Sequence, residues 1–233
     1  MPTVRLVVFD VAGTIIEDHG EVADAFQQAL RKNGIGIADG QLMEWRGASK
    51  REVIRHFVEE QFGTASDRGP LIEQAYAEFR VLLEGRYRQG VTPIGGAEAT
   101  FKWLAERKIK IATTTGFYRE VNDLILNQTG WRGMIDAVVS SSDVRQGRPA
   151  PFMIFHAMEA TSVASVSEVV NVGDTPLDLQ SGTNAGVTAV VGVLTGPVPR
   201  ERLQREPHTH LIGSVADIPD LIEGLSPLTA KIV

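Results

Sequence analysis

The chain has 233 residues, 43% of them hydrophobic and 22% charged, with a net charge of -6 and no cysteine. That length buries a core without staples, and the missing cysteines exclude disulfides, thiolate metal sites and a thiol nucleophile. The acidic balance argues against a nucleic-acid surface and the apolar runs fall short of the roughly 18–20 residues that span a bilayer, so a cytoplasmic protein without nucleic-acid or membrane partners is expected.

The first apolar run, Leu6-Val7-Val8-Phe9, is short, rich in β-branched residues, and stops at Asp10. Such runs suit strands buried on both faces of a parallel sheet. They recur over 109–112, 137–140, 169–172 and 188–193, with a weaker copy over 210–212. Helical stretches lie between them, as over 97–107, where Phe101, Leu104 and Ala105 share a face. This alternation predicts an α/β fold with a doubly wound, mostly parallel sheet.

One segment breaks the alternation. Val22, Ala25, Phe26, Ala29 and Leu30 recur at helical spacing, and Gly34 is placed to end that helix. Val53, Ile54, Phe57, Val58 and Phe62 repeat the pattern, as do Ile72, Ala75, Tyr76, Phe79 and Leu83. Roughly 70 residues between consecutive strands is too long for a simple crossover. A helical domain over 18–89 is therefore expected, inserted after the first strand of an α/β domain formed by 1–17 and 90–233. From about Pro219 the chain reads as a helix and a tail.

Four strands end in polar residues, on the side where open α/β sheets bind ligands. The first leads into Asp10-Val11-Ala12-Gly13-Thr14 and the second into Thr113-Thr114-Thr115-Gly116. Ser140-Ser141-Ser142-Asp143 and Gly147-Arg148-Pro149 follow the third, and Gly173-Asp174-Thr175 the fourth, with Asp178 beyond. Asp10 and Asp174 can hold a hard cation such as Mg2+. Thr115 and Gly116 can grip phosphate oxygens, and Arg148 can neutralise their charge. Singly, each has a plainer reading as a helix cap, a turn or a surface charge. Together, and in this order, they describe a phosphate-handling site.

This set resembles the haloacid dehalogenase superfamily: a nucleophilic Asp motif, a Ser/Thr motif, a basic residue and Gly-Asp-x-x-x-Asp. The resemblance implies a Rossmann-like core with a mobile helical cap, Asp10 as nucleophile, and a small phosphorus-containing metabolite as substrate. It also implies Mg2+ held by Asp10, Asp174 and the Ala12 carbonyl, with Asp178 and Thr14 in support. A homodimer is open on the same ground, although no heptad seam supports one.

Ala12 departs from the phosphatases of that superfamily, which carry there an aspartate that protonates the leaving alcohol. Either the chain has lost activity or its leaving group needs no such acid. Asp-x-Ala-Gly-Thr, the Gly47-Ala48-Ser49-Lys50 stretch and Gly-Arg-Pro together resemble the phosphonoacetaldehyde hydrolase family. The resemblance implies that Lys50 forms a Schiff base with the substrate aldehyde, so that carbon leaves phosphorus as an enamine. Taken alone, Lys50 reads as a solvated charge at a helix start. A phosphomonoesterase with Lys50 only a binding contact remains an alternative, as does a binding protein that keeps the phosphate cradle.

The pattern of that family is not complete. Its histidine three residues after the lysine is Val53 here, with His56 one turn on; its methionine four residues before is Arg46. Phe117 replaces a tyrosine, and no cysteine lies near Gly20 and Glu21. Arg46 reads as a surface charge, with an extra acidic group on the substrate as the alternative. His208 and His210 read as loop histidines, Glu21 and Asp24 as a solvated pair, and Trp45, Trp103 and Trp131 as packing residues.

Overall fold

The computed structural model describes residues 4–38, 40–64 and 66–225. Six parallel strands form one sheet: β1 (Leu6–Phe9), β2 (Lys110–Thr115), β3 (Ala137–Ser140), β4 (Val169–Gly173), β5 (Ala189–Val193) and β6 (His210–Ile212). Their order is β3-β2-β1-β4-β5-β6. The β1 register, Phe9 opposite Thr113 on one side and Val172 on the other, brings three strand ends level.

The continuous apolar runs are buried on both faces. In β1, Val7 and Phe9 join one apolar cluster while Leu6 and Val8 join another. On the first face Phe9 meets Phe101 of α4 (Ala97–Glu106) edge-on at 5.6 Å, and Phe101 meets Trp131 at 5.1 Å. The second face is covered by Met153, Ile154 and Ala157 of α6 (Phe152–Ala160). Two further helices follow strand ends, α5 (Arg119–Thr129) and α7 (Pro176–Ala185). The short α8 (Arg200–Leu203) and α9 (Ile218–Leu225) close the chain. The tail expected after α9 lies outside the described residues.

Two expectations need adjustment. β2 does not stop at 112: Thr113, Thr114 and Thr115 continue it, because β-branched threonines fit a pleated surface as well as valine does. His210 is half-buried at the start of β6 rather than in a loop.

Between β1 and α4 lie α1 (Glu21–Lys32), α2 (Lys50–Phe62) and α3 (Gly69–Tyr87). α1 and α3 pack through stacked Phe26 and Phe79, 4.2 Å between ring centres. The linkers into and out of this helical group run side by side. Glu17 N–H donates to Thr92 O at 2.8 Å and Ile94 N–H to Ile15 O at 2.9 Å. Among the described residues no helix is long and apolar enough to cross a membrane.

Candidate active site

The sheet grows in opposite directions on the two sides of β1, and at such a switch point the diverging loops leave a crevice. β1 delivers Asp10 there, with its side chain 8% exposed. Gly13, at φ +89°, turns the chain immediately afterwards. A Cβ at Gly13 or at Gly196 would collide with the Asp174 carboxylate, so both glycines make room for it. Thr14 Oγ1 donates to Asp174 Oδ1 at 3.1 Å, and Thr195 Oγ1 donates to Gly13 O at 2.6 Å.

Asp178 reaches the same place from the first turn of α7. Its Oδ2 accepts from the Thr175 N–H at 3.0 Å and the Thr175 hydroxyl at 2.6 Å, which caps the helix and fixes the carboxylate. One oxygen each of Asp10, Asp174 and Asp178 lie within 4.8 Å of one another. Arg148 is the buried cation among them. It donates through Nη1 to Asp10 Oδ1 at 2.6 Å and lies 2.8 Å from Asp178 Oδ1. Its Nη2 donates to Thr114 O at 2.7 Å and Thr114 Oγ1 at 2.8 Å. Arg148 therefore holds the Asp10 carboxylate and is not among the residues that line the cavity.

Three carboxylates against one guanidinium leave this corner with excess negative charge. Burial pushes Asp10 up to about 7, the Asp178 charge adds to the rise, and Arg148 opposes it. Asp174 is raised well above the usual carboxylate range by burial and then by Asp10. Hard oxygen donors in a dry, negatively charged corner fit a divalent cation such as Mg2+. Both Asp178 oxygens are already engaged, whereas Asp10 and Asp174 each keep one oxygen without a hydrogen bond among the described residues.

The cavity above is lined on the sheet side by Asp10, Ala12, Asp174, Thr115 and Gly116. Thr115 Oγ1 accepts from the Phe117 N–H at 3.1 Å, which leaves its own proton to donate. From the helical side come Lys50 and Arg46 with Phe26, Leu42 and Trp45. A Cβ at Gly116 would run into Ala48 O, and one at Gly47 would stand 2.7 Å from Thr175 Oγ1, so this loop is seated directly on the sheet-end loops.

Lys50 is the first residue of α2 and only 7% exposed. The plain reading of it as a solvated charge is not what the fold does with it. Its Nζ donates to Ala48 O at 3.2 Å and lies 5.2 Å from the centre of the Phe117 ring. Burial lowers it to about 8, against the pull of Asp10. Among the described residues no carboxylate pairs with it.

The positions that depart from the family pattern fall into two groups. Val53 is in the apolar core, and His56 stacks on Trp45 at 4.2 Å without reaching the cavity. Arg46 is not a surface charge: its side chain is 20% exposed, lines the cavity, and donates to Asp18 Oδ2 at 2.5 Å. Sequence reasoning also missed Asp18, Thr114 and Thr195. None of the three has a spacing signal, because their partners lie 28, 34 and 182 residues away.

Residues 7–192 match the model of the haloacid dehalogenase-like hydrolase family. The chain belongs to that family. It is 31% identical over 208 residues to phosphonoacetaldehyde hydrolase from Bacillus cereus (strain AH820), covering 83% of this chain and 76% of that one. It is 32% identical over 199 residues to the bifunctional phosphonoacetaldehyde hydrolase/aminoethylphosphonate transaminase of Clostridioides difficile (strain 630), covering 80% of this chain. The match takes in 31% of that longer protein. Among solved structures, a phosphonoacetaldehyde hydrolase-like protein from Oleispira antarctica superposes with a TM-score of 0.83 at 23% identity, over 95% of this chain and 92% of that one. A β-phosphoglucomutase from Clostridium difficile gives 0.81 at 16% identity, over 96% and 99%. These two show the shared fold.

Proposed function

We propose that the protein is a phosphonatase-like hydrolase that cleaves the C–P bond of phosphonoacetaldehyde or a close analogue. The observation that carries this reading is Lys50, a buried amine lowered to about 8 by burial, in the same cavity as Asp10. A lysine kept only to attract phosphate gains nothing from a depressed pKa, whereas one that adds to a carbonyl needs its neutral form.

In the proposed reaction Lys50 Nζ adds to the aldehyde carbon and, with loss of one water, forms an iminium. The electron pair of the C–P bond then moves into the iminium, giving an enamine, as an Asp10 oxygen takes the phosphoryl group. Protonation at carbon and attack by one water release acetaldehyde and free Lys50. A second water hydrolyses the aspartyl-phosphate to orthophosphate. No alkoxide leaves at any stage, so Ala12 can stand where related phosphatases need an acid.

Thr115 and the Gly116 N–H would hold phosphoryl oxygens, while Arg148 keeps Asp10 oriented for in-line attack. Mg2+ held by Asp10, Asp174 and the Ala12 carbonyl, braced by Asp178 and Thr14, would supply positive charge to the phosphoryl group. We read 18–89 as a cap over a core of 1–17 and 90–233, hinged at the paired linkers around Ile16 and Pro93. With the cap down, Lys50 meets a substrate anchored on the core.

Borohydride trapping with phosphonoacetaldehyde tests this. The expected result is a covalent adduct at Lys50 that disappears in Lys50→Arg, and loss of all phosphorus chemistry in Asp10→Asn. No adduct, together with phosphate-ester turnover that survives Lys50→Ala, would make the protein a phosphomonoesterase with Lys50 as a contact.

A further inference from the structure

The helical wall of the cavity is apolar at Val22, Phe26, Leu42 and Trp45, yet besides the Lys50 amine it carries the paired Arg46 guanidinium and Asp18 carboxylate. Arg46 is tied to Asp18 and follows the course of its loop. Its backbone is extended (φ −60°, ψ 138°), and the next residue, Gly47, sits on Thr175. Asp18 takes only its Nη1; the other Asp18 oxygen accepts from the Gly20 N–H at 2.9 Å. Among the described residues the guanidinium makes no other hydrogen bond, so the Nε and Nη2 side of its fork is unused. Five donors in a fixed plane match a carboxylate better than any other small group.

Arg46 also borders the groove lined by Met43, Pro176 and Val198, so it stands where the cavity meets solvent. Asp10 and Asp174 occupy the opposite, sheet end, and Lys50 shares the helical wall with Arg46. A substrate whose phosphorus sits on the sheet end and whose carbonyl reaches Lys50 would bring its remaining substituent towards Arg46. About 560 Å³ of space lies among the lining atoms, part of it open to solvent, which admits a small phosphonate carrying a carboxylate.

We propose that Arg46 is a specificity-determining residue that selects carbonyl phosphonates bearing a carboxylate on the carbon skeleton. The preferred substrate is then a small oxo-acid phosphonate, a close analogue of the bare aldehyde that uses the same carbonyl chemistry. This deepens the proposed reaction and rests on it for the carbonyl; the recognition of the two anionic ends does not depend on the Schiff base. Asp18 serves as a positioning residue that holds Nη1 and balances the guanidinium charge when no ligand is bound.

The test separates binding from chemistry by using ligands without a carbonyl. With Mg2+ present, calorimetric titration compares 3-phosphonopropionate with propylphosphonate, in which a methyl group stands for the carboxylate. Wild type is expected to prefer the carboxylate ligand by about tenfold or more, the worth of one charge-assisted contact. In Arg46→Met that preference should fall below about threefold, and Arg46→Lys should lie between, having charge without the fork. Circular dichroism checks that each variant is folded; if Arg46→Met is not, the wild-type ratio and Arg46→Lys decide. Equal affinities in wild type, a preference that persists in Arg46→Met, or no binding of either ligand at 10 mM would each overturn the inference. A missing borohydride adduct would sink the Schiff-base reading and leave this result standing.

Discussion

At the scale of single residues, Lys50 connects burial to chemistry most directly. An ordinary lysine titrates near 10.4, so about one in 2,500 is neutral at pH 7; at a pKa of about 8 the neutral share is about a tenth. The sign is fixed by desolvation, which disfavours the ammonium in a pocket that offers it a carbonyl and an aromatic face but, among the described residues, no paired carboxylate. The adduct-forming rate with phosphonoacetaldehyde should therefore climb close to tenfold per pH unit up to about 8 and then level off. Trapping measured from pH 6 to 10 checks it, and a rise that continues to pH 10 would mean an unperturbed lysine. The same shift acts on folding. Because the folded state holds this proton less tightly than the unfolded chain, Lys50 costs stability below about pH 8, and the cost fades as pH rises from there towards 10.5.

At the scale of elements, the site depends on how strand ends meet the loop between α1 and α2. The loop after α1 lays Gly47 on Thr175 and Ala48 O over Gly116, and nothing larger than hydrogen fits at 116. Gly116→Ala should prop the loop away from the sheet and lower kcat/KM for the phosphorus substrate by about a hundredfold, as misplacement of about 1 Å does elsewhere. Thermal unfolding should move much less, since the loop can lift without opening the core. Activity within threefold of wild type would show that this close approach is dispensable. The strands themselves were legible because burial on both faces writes itself as a continuous apolar run, and Asp10, Thr115 and Asp174 were legible because each ends such a run. Lys50 and Gly116 could be located but not brought together, since 66 positions in sequence say nothing of a shared cavity. The Arg46–Asp18 pair and the grip of Arg148 on Asp10, Asp178 and Thr114 were illegible for the same reason. Surface charge is the usual fate of an arginine, and only packing distinguishes the exceptions.

At the scale of the whole molecule, helical segment and sheet are not energetically separate in this arrangement. Phe26, Phe57 and Phe79 belong to the same apolar cluster as Phe9 and Phe101, and Tyr87 meets Phe117 edge-on at 5.6 Å across the seam. Ion pairs fasten two rims, Glu44 with Arg202 at 2.9 Å and Arg80 with Glu120 at 2.7 Å, although exposed pairs of this kind contribute little singly. Against this continuous core stands one concentrated cost, the carboxylates of Asp10, Asp174 and Asp178 with Arg148 as their buried counter-charge. A carboxyl raised to about 7 on folding binds its proton more tightly than the unfolded chain does. Its contribution is fully present below pH 4 and is lost as pH rises through about 7. Metal-free protein in EDTA should therefore melt at progressively lower temperature from pH 5 to pH 8. A divalent cation that binds only the folded site adds about 2.7 kcal/mol at a hundred times its Kd. For a domain of this size that is roughly 5–10 °C, and it should remove most of the pH dependence because the carboxylates no longer need protons. Asp174→Asn should lose the Mg2+ response while keeping its fold. Identical melting curves in EDTA and in Mg2+ across pH 5 to 8 would refute the assignment of these carboxylates as a cation site.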